Sequence, residues 1–278
     1  MKIGKKEFDF DNQIYIMGIL NATPDSFSDG GLFFTDGKVN VDNAVKTVEK
    51  MISDGAGIVD IGGESTRPGY TEISEEEEME RICPVIEKIS KNLEIAVSVD
   101  TYKSKVAEES LRSGAHMIND IWGLKADSDM AYVAKKYDVP VCIMHNRDVE
   151  KYPYSSFLED VIKDIEESLA IADTVGIGRE KIILDPGVGF GKNYQQNLEI
   201  MANMDKLKLF NVPILLGASR KSVIGLTLDL PVDEREEGTM ATTTVGVMKG
   251  CSIIRVHDVK ANYRAAKMAL AIRKREEL

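Results

Sequence analysis

The sequence predicts one (β/α)8 barrel, the TIM-barrel fold, in a single domain that spans residues 1–278. Eight short apolar runs recur along the chain, and several are β-branched and nearly continuous, as in strands that are buried on both faces. Segments with helical spacing lie between most of these runs. Each run ends in polar or glycine-rich residues, and the strand ends of a parallel barrel converge on one mouth. A doubly wound open sheet is the alternative architecture for this alternation.

The predicted strands follow one another at intervals that leave room for a helix between most neighbours. In chain order they are Ile14–Leu20, Ile58–Gly62, Ile95–Val99, Met117–Ile121, Val139–Met144, Lys181–Leu184, Val212–Gly217 and Ser252–Val256. Helical spacing is clear in Val41, Val45 and Val48, which fall on one face of a predicted helix. The segment Lys2–Phe10 is expected to form a short hairpin that closes the bottom of the barrel.

The charge balance limits the partners that the chain is expected to bind. Its 278 residues carry a formal net charge of −11, and the sequence pI is near 4.9. Nucleic acids and anionic membranes both require a basic face, so they are not expected partners. An anionic small molecule remains compatible, because a few clustered basic side chains can form a local positive site. The acidic run over residues 75–80 is expected to begin a helix, where carboxylates interact favourably with the dipole.

Cysteine usage and hydropathy predict a cytoplasmic protein. Cys83, Cys142 and Cys251 are odd in number and widely spaced, which fits free thiols in a reducing compartment. Cys142 and Cys251 lie in or beside apolar runs and are expected to be buried. Residues 1–10 are polar and mixed, unlike a signal peptide. No apolar stretch reaches the roughly 20 residues that a membrane span needs.

Every predicted strand delivers polar residues at or just after its carboxyl end. In strand order they are Asn21; Glu64 and Arg67; Ser98 and Asp100; Asn119 and Asp120; His145 and Asn146; Asp185; Ser219, Arg220 and Lys221; Arg255, His257 and Asp258. The strand starts carry mostly Val, Ile, Lys and Pro, so the polar groups are not scattered over both ends. This asymmetry predicts an active site at the mouth of the barrel.

Three of these residues suggest the kind of ligand that the mouth binds. Asp100, Asn119 and Asp185 belong to the ends of the third, fourth and sixth strands. Inward-facing carboxylates and an amide match a heterocycle with several N–H donors and ring nitrogens, and one carboxylate can accept a two-donor edge. Each residue taken alone could instead cap the barrel or form internal hydrogen bonds.

The loop from Asp185 to Lys192 is rich in glycine but does not fit a nucleotide-binding motif. A P-loop would need Gly in place of Pro186 and Ser or Thr in place of Asn193. A dinucleotide fingerprint would need an acidic residue at a strand end, whereas Asp205 lies in a helical stretch. The functional interpretation is a buried carboxylate followed by a loop that presents Phe190 to a flat ligand. The alternative is an ordinary turn between strand and helix.

Basic residues at the mouth are candidate ligands for an anion. Arg255 and His257 alternate on one strand and therefore point to the same side, and Arg67 follows the second strand. Lys221 is compatible with three roles: a hydrogen-bond donor to substrate, a Schiff-base nucleophile or a surface charge. The role of His145 stays open, because Met144 beside it can equally pack against a ligand. The sequence lacks an HExxH motif and any spacing typical of a zinc site.

Nine sequence blocks together resemble the dihydropteroate synthase family. They are MGILNATPDSFSDGG, DIGGESTRPG, SVDTYK, INDIWG, MHN, LDPGVGFGK, LLGASRKS, GTMATTTVG and IIRVHDV, in family order from Met17 to Val259. The resemblance covers nearly the whole chain, and it implies the same barrel with a pterin bound deep in the mouth.

The resemblance also implies a set of residue roles. The pterin ring would be held by Asp100, Asn119, Asp185 and Lys221, with Ile121, Met144, Phe190 and Gly217 around its faces. The diphosphate would be bound by Asn21, Arg67, Arg255 and His257. The p-aminobenzoate site would be lined by Thr66, Pro68, Phe190, Lys221 and Ser222. The residues with catalytic roles would be Asp100, Lys221, Arg255 and His257.

The family implies a cofactor and an assembly as well. Asn21 would coordinate Mg²⁺, which bridges the diphosphate, and Asp25 and Asp29 lie on the first loop nearby. The expected assembly is a homodimer formed through the last two helices, where the stretch from Ala241 to Met248 is small and apolar. Lys221 would then be a substrate donor rather than a Schiff base. Family members are also targets of sulfonamides.

The reaction implied by the resemblance joins 6-hydroxymethyl-7,8-dihydropterin diphosphate to p-aminobenzoate, giving 7,8-dihydropteroate and diphosphate by a dissociative displacement. A corrinoid-linked methyltransferase is one alternative, since it uses a similar pterin barrel. It has no diphosphate to hold, so the cations Lys221, Arg255 and His257 favour the synthase. A non-catalytic pterin-binding protein is a second alternative, and it is disfavoured because every matched polar position is filled.

Overall fold

The predicted apolar runs form the strands of a parallel barrel. The computed structural model describes residues 1–23, 34–35, 38–65 and 72–276. The strands within these ranges are β1 (Lys2–Ile3), β2 (Lys6–Glu7), β3 (Tyr15–Asn21), β4 (Phe34–Thr35), β5 (Lys38–Val39), β6 (Ala56–Gly62), β7 (Ala96–Asp100), β8 (Met117–Asp120), β9 (Val141–Met144), β10 (Ile182–Asp185), β11 (Leu215–Leu216) and β12 (Ile253–Val256).

Eight of these strands pair in the order β10-β9-β8-β7-β6-β3-β12-β11, and every neighbouring pair is parallel. A parallel bridge between Leu184 and Ile214 connects the two ends of the sheet and so closes the barrel. The open-sheet alternative is therefore wrong. The predicted (β/α)8 barrel is confirmed.

Helices alternate with the barrel strands and pack on their outer face. They are α1 (Val41–Asp54), α2 (Glu75–Asn92), α3 (Ser104–Arg112), α4 (Met130–Tyr137), α5 (Phe157–Val175), α6 (Tyr194–Ala202), α7 (Ser222–Leu228), α8 (Glu236–Met248) and α9 (Val259–Glu276). Short 3-10 helices cover Arg179–Lys181, Met204–Phe210 and Val232–Glu234. The acidic run begins α2 as predicted, and the Ser74 side chain caps this helix by accepting a hydrogen bond from Glu77 N.

The seventh barrel strand is shorter than the sequence predicts. The expected strand covered Val212–Gly217, whereas β11 contains only Leu215 and Leu216. Pro213 has no N–H to donate to a sheet ladder, so regular pairing cannot start before it. Its carbonyl still accepts a hydrogen bond from Leu184 N at 2.9 Å, which keeps this segment beside β10.

A small apolar cluster fills the bottom of the barrel. Each of the eight strands contributes one side chain to it: Met17, Ile58, Ala96, Met117, Cys142, Ile183, Leu215 and Ile253. Ile3, Phe8 and Phe10 from the N-terminal segment complete the cluster, and β1 and β2 form the antiparallel hairpin expected there. The interior is thus a packed layer rather than a channel, which confines any ligand to the opposite end.

A larger apolar cluster lies between the barrel and its surrounding helices. Cys251 belongs to it and Cys142 to the bottom layer, so both are buried as predicted, and all three cysteines are free thiols. Among the helices that the structure describes, none combines the length and apolar character needed to cross a bilayer.

Candidate active site

The alternation of strand residues brings polar side chains into a second interior layer. Successive side chains of a strand point to opposite faces, so the residue two positions beyond each bottom-layer residue also faces the interior. This step leads from Ile58 to Asp60, from Met117 to Asn119, from Ile183 to Asp185 and from Ile253 to Arg255. A charged and polar layer therefore lies directly above the apolar bottom of the barrel.

An ion-pair cluster centred on Arg255 forms the floor of the mouth. Arg255 donates through Nε to Asp60 Oδ2 at 2.6 Å and through a terminal nitrogen to Asp100 Oδ2 at 2.5 Å. Asn119 Nδ2 donates to the same Asp60 oxygen at 2.9 Å. Arg255 thus contacts Asp100 directly, and a residue that sequence reasoning missed joins Arg255 to Asn119.

Asp60 is that missed residue. It lies within an otherwise apolar strand and is fully buried. Its Oδ1 is buried and has no hydrogen-bond partner within the described part of the chain, whereas its Oδ2 accepts two hydrogen bonds. The available signal was a carboxylate inside a β-branched run, two residues beyond the inward-facing Ile58. Because a buried charge without a partner is strongly unfavourable, such a residue is expected to pair with another polar group.

Asp185 lies on the opposite side of the floor and faces an open position. Its Oδ1 accepts a hydrogen bond from Gly187 N at 2.7 Å. Its Oδ2 lies only 3.3 Å from the point where a Cβ on Gly217 would stand, and Arg255 Cδ lies 3.9 Å from that point. Any side chain at residue 217 would therefore occupy the space that Asp185 faces, and glycine leaves it free for a ligand.

The glycine-rich loop after β10 folds over the edge of the mouth. Gly189 adopts a φ of +84°, in the left-handed region that favours glycine, and a Cβ there would lie 3.0 Å from Lys221 Cδ. Lys221 Nζ donates to Val188 O and lies 4.4 Å from the centroid of the Phe190 ring. The predicted partners Phe190 and Lys221 thus form a cation–π pair at the mouth.

Burial shifts the pKa values of the charged side chains in this site. Burial lowers the pKa of Lys221 to about 8, although the neighbouring Asp185 carboxylate favours its charged form. Burial raises the pKa of Asp185, and it raises the pKa of Asp100 to about 7 against the opposing charge of Arg255. Perturbed carboxylates and a perturbed lysine in one cleft are typical of a functional site.

Contacts between the ends of the last two barrel strands hold His257 at the mouth. Ser219 Oγ lies 2.9 Å from His257 Nδ1 and also accepts a hydrogen bond from His257 N at 3.3 Å. Arg220 instead forms a bidentate ion pair with Asp258, with both terminal contacts at 2.9–3.0 Å. Arg220 and Asp258 therefore join two loops rather than contribute to the floor.

The remaining predicted residues that the structure describes lie around this floor. Ile121 and Met144 are buried at the ends of β8 and β9, and Asn21 is half-buried at the end of β3. A Cβ on Gly62 would lie 3.8 Å from both Asn21 Oδ1 and Asp100 Oδ2, so these two side chains approach the same position. Ser222 is exposed at the start of α7.

Some predicted residues lie outside the described residues. These are Asp25 and Asp29 on the first loop and Thr66, Arg67 and Pro68 on the second. Glu64, at the start of the second loop, does not join the floor. It pairs with the buried Lys103 at 2.9 Å and accepts a hydrogen bond from Ile73 N at 3.0 Å.

Similarity to known proteins agrees with this geometry. Residues 17–257 match the family described as pterin binding enzyme. A dihydropteroate synthase from Clostridium beijerinckii is 58% identical over 269 residues, which cover 96% of this chain and 97% of that protein. A dihydropteroate synthase from Bacillus subtilis is 51% identical and covers 91% of this chain and 86% of that protein.

Solved structures give the same result at the level of the fold. The dihydropteroate synthase of Clostridium difficile, crystallised in the presence of pteroic acid, superposes with a TM-score of 0.89 at 49% identity over 96% of this chain and 99% of that one. The Yersinia pestis enzyme with a sulfonamide drug complex superposes with a TM-score of 0.92 at 39% identity over 99% of both chains. The chain belongs to the dihydropteroate synthases, the transferases of folate biosynthesis within the pterin-binding enzyme family.

Proposed function

We propose that the mouth binds 6-hydroxymethyl-7,8-dihydropterin diphosphate above Gly217 and transfers its pterinylmethyl group to p-aminobenzoate, within a single domain of residues 1–278. The observation that carries the proposal is the arrangement of Asp185, Asp100 and Asn119 around a floor that Gly217 leaves open. Family relatives crystallised with pteroic acid and with a sulfonamide support the same ligand classes.

We assign recognition of the pterin ring to side chains that form hydrogen bonds with the polar edges of the ring. The carboxylate of Asp185 accepts hydrogen bonds from the amino group and the adjacent ring N–H of the pterin. These two donors form one edge that suits a single carboxylate. Asn119 uses one N–H on Asp60 and keeps its Oδ1 and its second N–H for the ring. Lys221 donates to the acceptors of the ring, while Phe190, Met144 and Ile121 pack against its faces.

The diphosphate is assigned to the side of the mouth that carries His257 and Asn21. His257, whose ring is positioned by Ser219 Oγ at 2.9 Å from Nδ1, is assigned as a donor to the diphosphate. Arg255 uses two of its N–H groups on Asp60 and Asp100 and donates through the remaining ones. Arg67 is assigned to the same group by family resemblance.

Mg²⁺ is proposed to arrive with the diphosphate. Among the residues that the structure describes, no three His, Cys, Asp or Glu side chains are grouped as a metal cage. Mg²⁺ keeps several waters and is commonly held by one or two protein oxygens plus substrate phosphates, which fits the single amide oxygen of Asn21 at the mouth. Bound there, it would neutralise charge on the diphosphate oxygens.

The proposed displacement is dissociative. The electron-rich dihydropterin expels diphosphate from its exocyclic CH₂, so the C–O bond breaks and its electron pair leaves with diphosphate. Asp100 stabilises the resulting delocalised cation, and His257 and Arg255 stabilise the charge on the leaving group. The aniline nitrogen of p-aminobenzoate then forms the C–N bond and loses a proton. A rate strictly dependent on the nucleophilicity of the amine would count against this sequence.

Direct product formation tests the proposed function. We expect 7,8-dihydropteroate to appear by mass spectrometry when the purified protein is incubated with both substrates and Mg²⁺. The product should disappear with a chelator and with the Lys221→Ala variant. A folded protein that binds pterin but forms no product would instead support the methyltransferase or the non-catalytic alternative.

The pH dependence of the reaction should report Lys221. Because burial lowers its pKa to about 8, Lys221 loses its proton and its donor charge as pH rises through that value. The kcat/KM for the pterin substrate, which reports the free enzyme, should therefore fall above about pH 8. Lys221→Arg should be slower but should lack this alkaline limb, because a guanidinium stays charged. A limb that persists unchanged in Lys221→Arg would assign the titration to another group.

A cytoplasmic homodimer is the proposed form of the enzyme. The outer faces of α7 to α9 carry apolar side chains that are about half exposed or more, namely Leu226, Val245, Met268 and Ile272. We expect light scattering to give twice the chain mass of 30.8 kDa. Met268→Glu should shift the protein towards the monomer, whereas Tyr132→Glu, on the exposed face of α4, should not.

A further inference from the structure

Lys192 ends the glycine-rich loop, and its ammonium group is directed back into the loop rather than into solvent. Its Nζ lies 2.9 Å from Gly187 O, 3.0 Å from Phe190 O and 2.8 Å from His145 Nδ1. His145 O lies 3.4 Å away as a fourth acceptor, so protein groups surround the nitrogen, and burial lowers the pKa of Lys192 to about 7. The side chain of Lys192 therefore forms its hydrogen bonds with protein groups.

The same contacts determine the tautomer of His145. Because Nδ1 accepts from the ammonium of Lys192, the ring proton is on Nε2, which donates to Asp164 Oδ2 at 3.0 Å. Burial, together with the charge of Lys192, lowers the pKa of His145 to about 4 and keeps the ring neutral. His145 is 2% exposed, so it links two charged groups away from solvent.

Asp164, on α5, anchors the outer end of this network. Arg147 donates to it through Nε at 2.8 Å and through a terminal nitrogen at 2.9 Å, a bidentate arrangement. Burial disfavours the charge of Asp164, but the hydrogen bonds from His145 and Arg147 outweigh it and lower its pKa. A chain of side-chain contacts thus connects helix α5 to the loop. It runs from Asp164, which Arg147 also holds, through His145 to Lys192.

Two lysines hold this loop from opposite sides. Lys192 holds the carbonyls of Gly187 and Phe190, and Lys221 holds the carbonyl between them, that of Val188. The backbone also approaches His145 closely, since a Cβ on Gly187 would lie 1.9 Å from His145 O. The position of Phe190, and of Lys221 against its ring, therefore depends on Lys192.

We propose that Lys192, supported by His145 and Asp164, is a positioning residue that places Phe190 for the two substrates. This inference rests on the proposed function, in which Phe190 packs against the pterin, and on the family resemblance, which implies that Phe190 also lines the p-aminobenzoate site. Lys192 does not touch the substrates and acts through the loop. The helix that follows has its own capping box between Asn193 and Gln196, so loss of Lys192 should misplace the loop without unfolding α6.

A double-mutant cycle distinguishes positioning from a general loss of structure. We expect Lys192→Met to raise the KM for p-aminobenzoate and lower kcat, with a combined loss in kcat/KM of about tenfold or more. In the Phe190→Ala background the same substitution should cost less than about threefold, because residues that act through one another are not additive. Lys192→Arg, which keeps a donor charge, should recover part of the loss.

Controls separate the possible outcomes. Lys206→Met removes an exposed lysine from the 3-10 helix over Met204–Phe210 and should leave both constants unchanged. If Lys192→Met does not fold, as judged by thermal unfolding, Asp164→Asn is put through the same cycle with Phe190→Ala. Equal losses in both backgrounds, for whichever variant folds, would overturn the inference. Absence of dihydropteroate with the wild-type protein would instead reject the proposed function on which it rests.

Discussion

Replacement of Arg255 by alanine should abolish measurable synthase activity and lower the free energy of unfolding by about 3–5 kcal/mol, the cost of removing one partner from a buried ion pair. The guanidinium is shared between Asp60 and Asp100, so the variant leaves two enclosed carboxylates without their cation. The loss of activity is expected because Arg255 pairs with Asp100 and, in the proposed function, also binds the diphosphate.

Urea unfolding and steady-state kinetics measure the two effects of Arg255→Ala separately. Arg255→Lys should be intermediate, because a lysine supplies charge but lacks the planar fork that engages two carboxylates. Arg179→Ala is a matched control, since the Arg179–Asp173 pair is exposed and should contribute less than about 1 kcal/mol. Unchanged stability of Arg255→Ala would show that the Asp60–Arg255–Asp100 cluster does not support the floor.

Replacement of Asp185 by asparagine should weaken binding of every pterin ligand by about 2–5 kcal/mol, the usual cost of truncating a buried charged partner. That loss corresponds to a factor of about 30 or more in Kd. The fold should survive, because an asparagine Oδ1 can still accept the hydrogen bond from Gly187 N. In Asp185→Asn, an NH₂ group replaces the oxygen that faces Gly217. In the proposed binding mode this donor would face the N–H donors of the pterin edge and could not accept from them.

Isothermal titration with the pterin substrate, with pteroate and with inorganic diphosphate tests the role of Asp185. Both pterin ligands should lose affinity to a similar extent in Asp185→Asn, while diphosphate alone should bind as it does to the wild-type protein. Asp185→Ala should be worse, since it also removes the acceptor for Gly187 N. An equal loss for diphosphate would contradict assignment of Asp185 to the ring.

Much of the site could be predicted from the sequence, because a residue's position along a barrel strand determines which end of the barrel it occupies. Asp100, Asn119 and Asp185 could be placed at the mouth, since they were recognised as polar residues at strand ends and the ends of parallel strands converge. Asp60 was missed because it lies in the middle of its strand, two residues before the strand ends at Gly62. Lys192 was visible as the last residue of the glycine-rich loop, but nothing in the linear pattern showed that its ammonium turns inward.

Local pattern by itself determined the alternation of strands and helices, the order of the strands along the chain and the end that carries the polar groups, because hydrophobic periodicity reports which faces are buried. Only the tertiary structure decided which charged groups are partners. Asn119 and Asp60 are separated by 59 residues, and Arg255 and Asp60 by 195, yet each pair is in hydrogen-bond contact. Ion pairing depends on distance and on exclusion of water, and both are fixed only when the barrel closes.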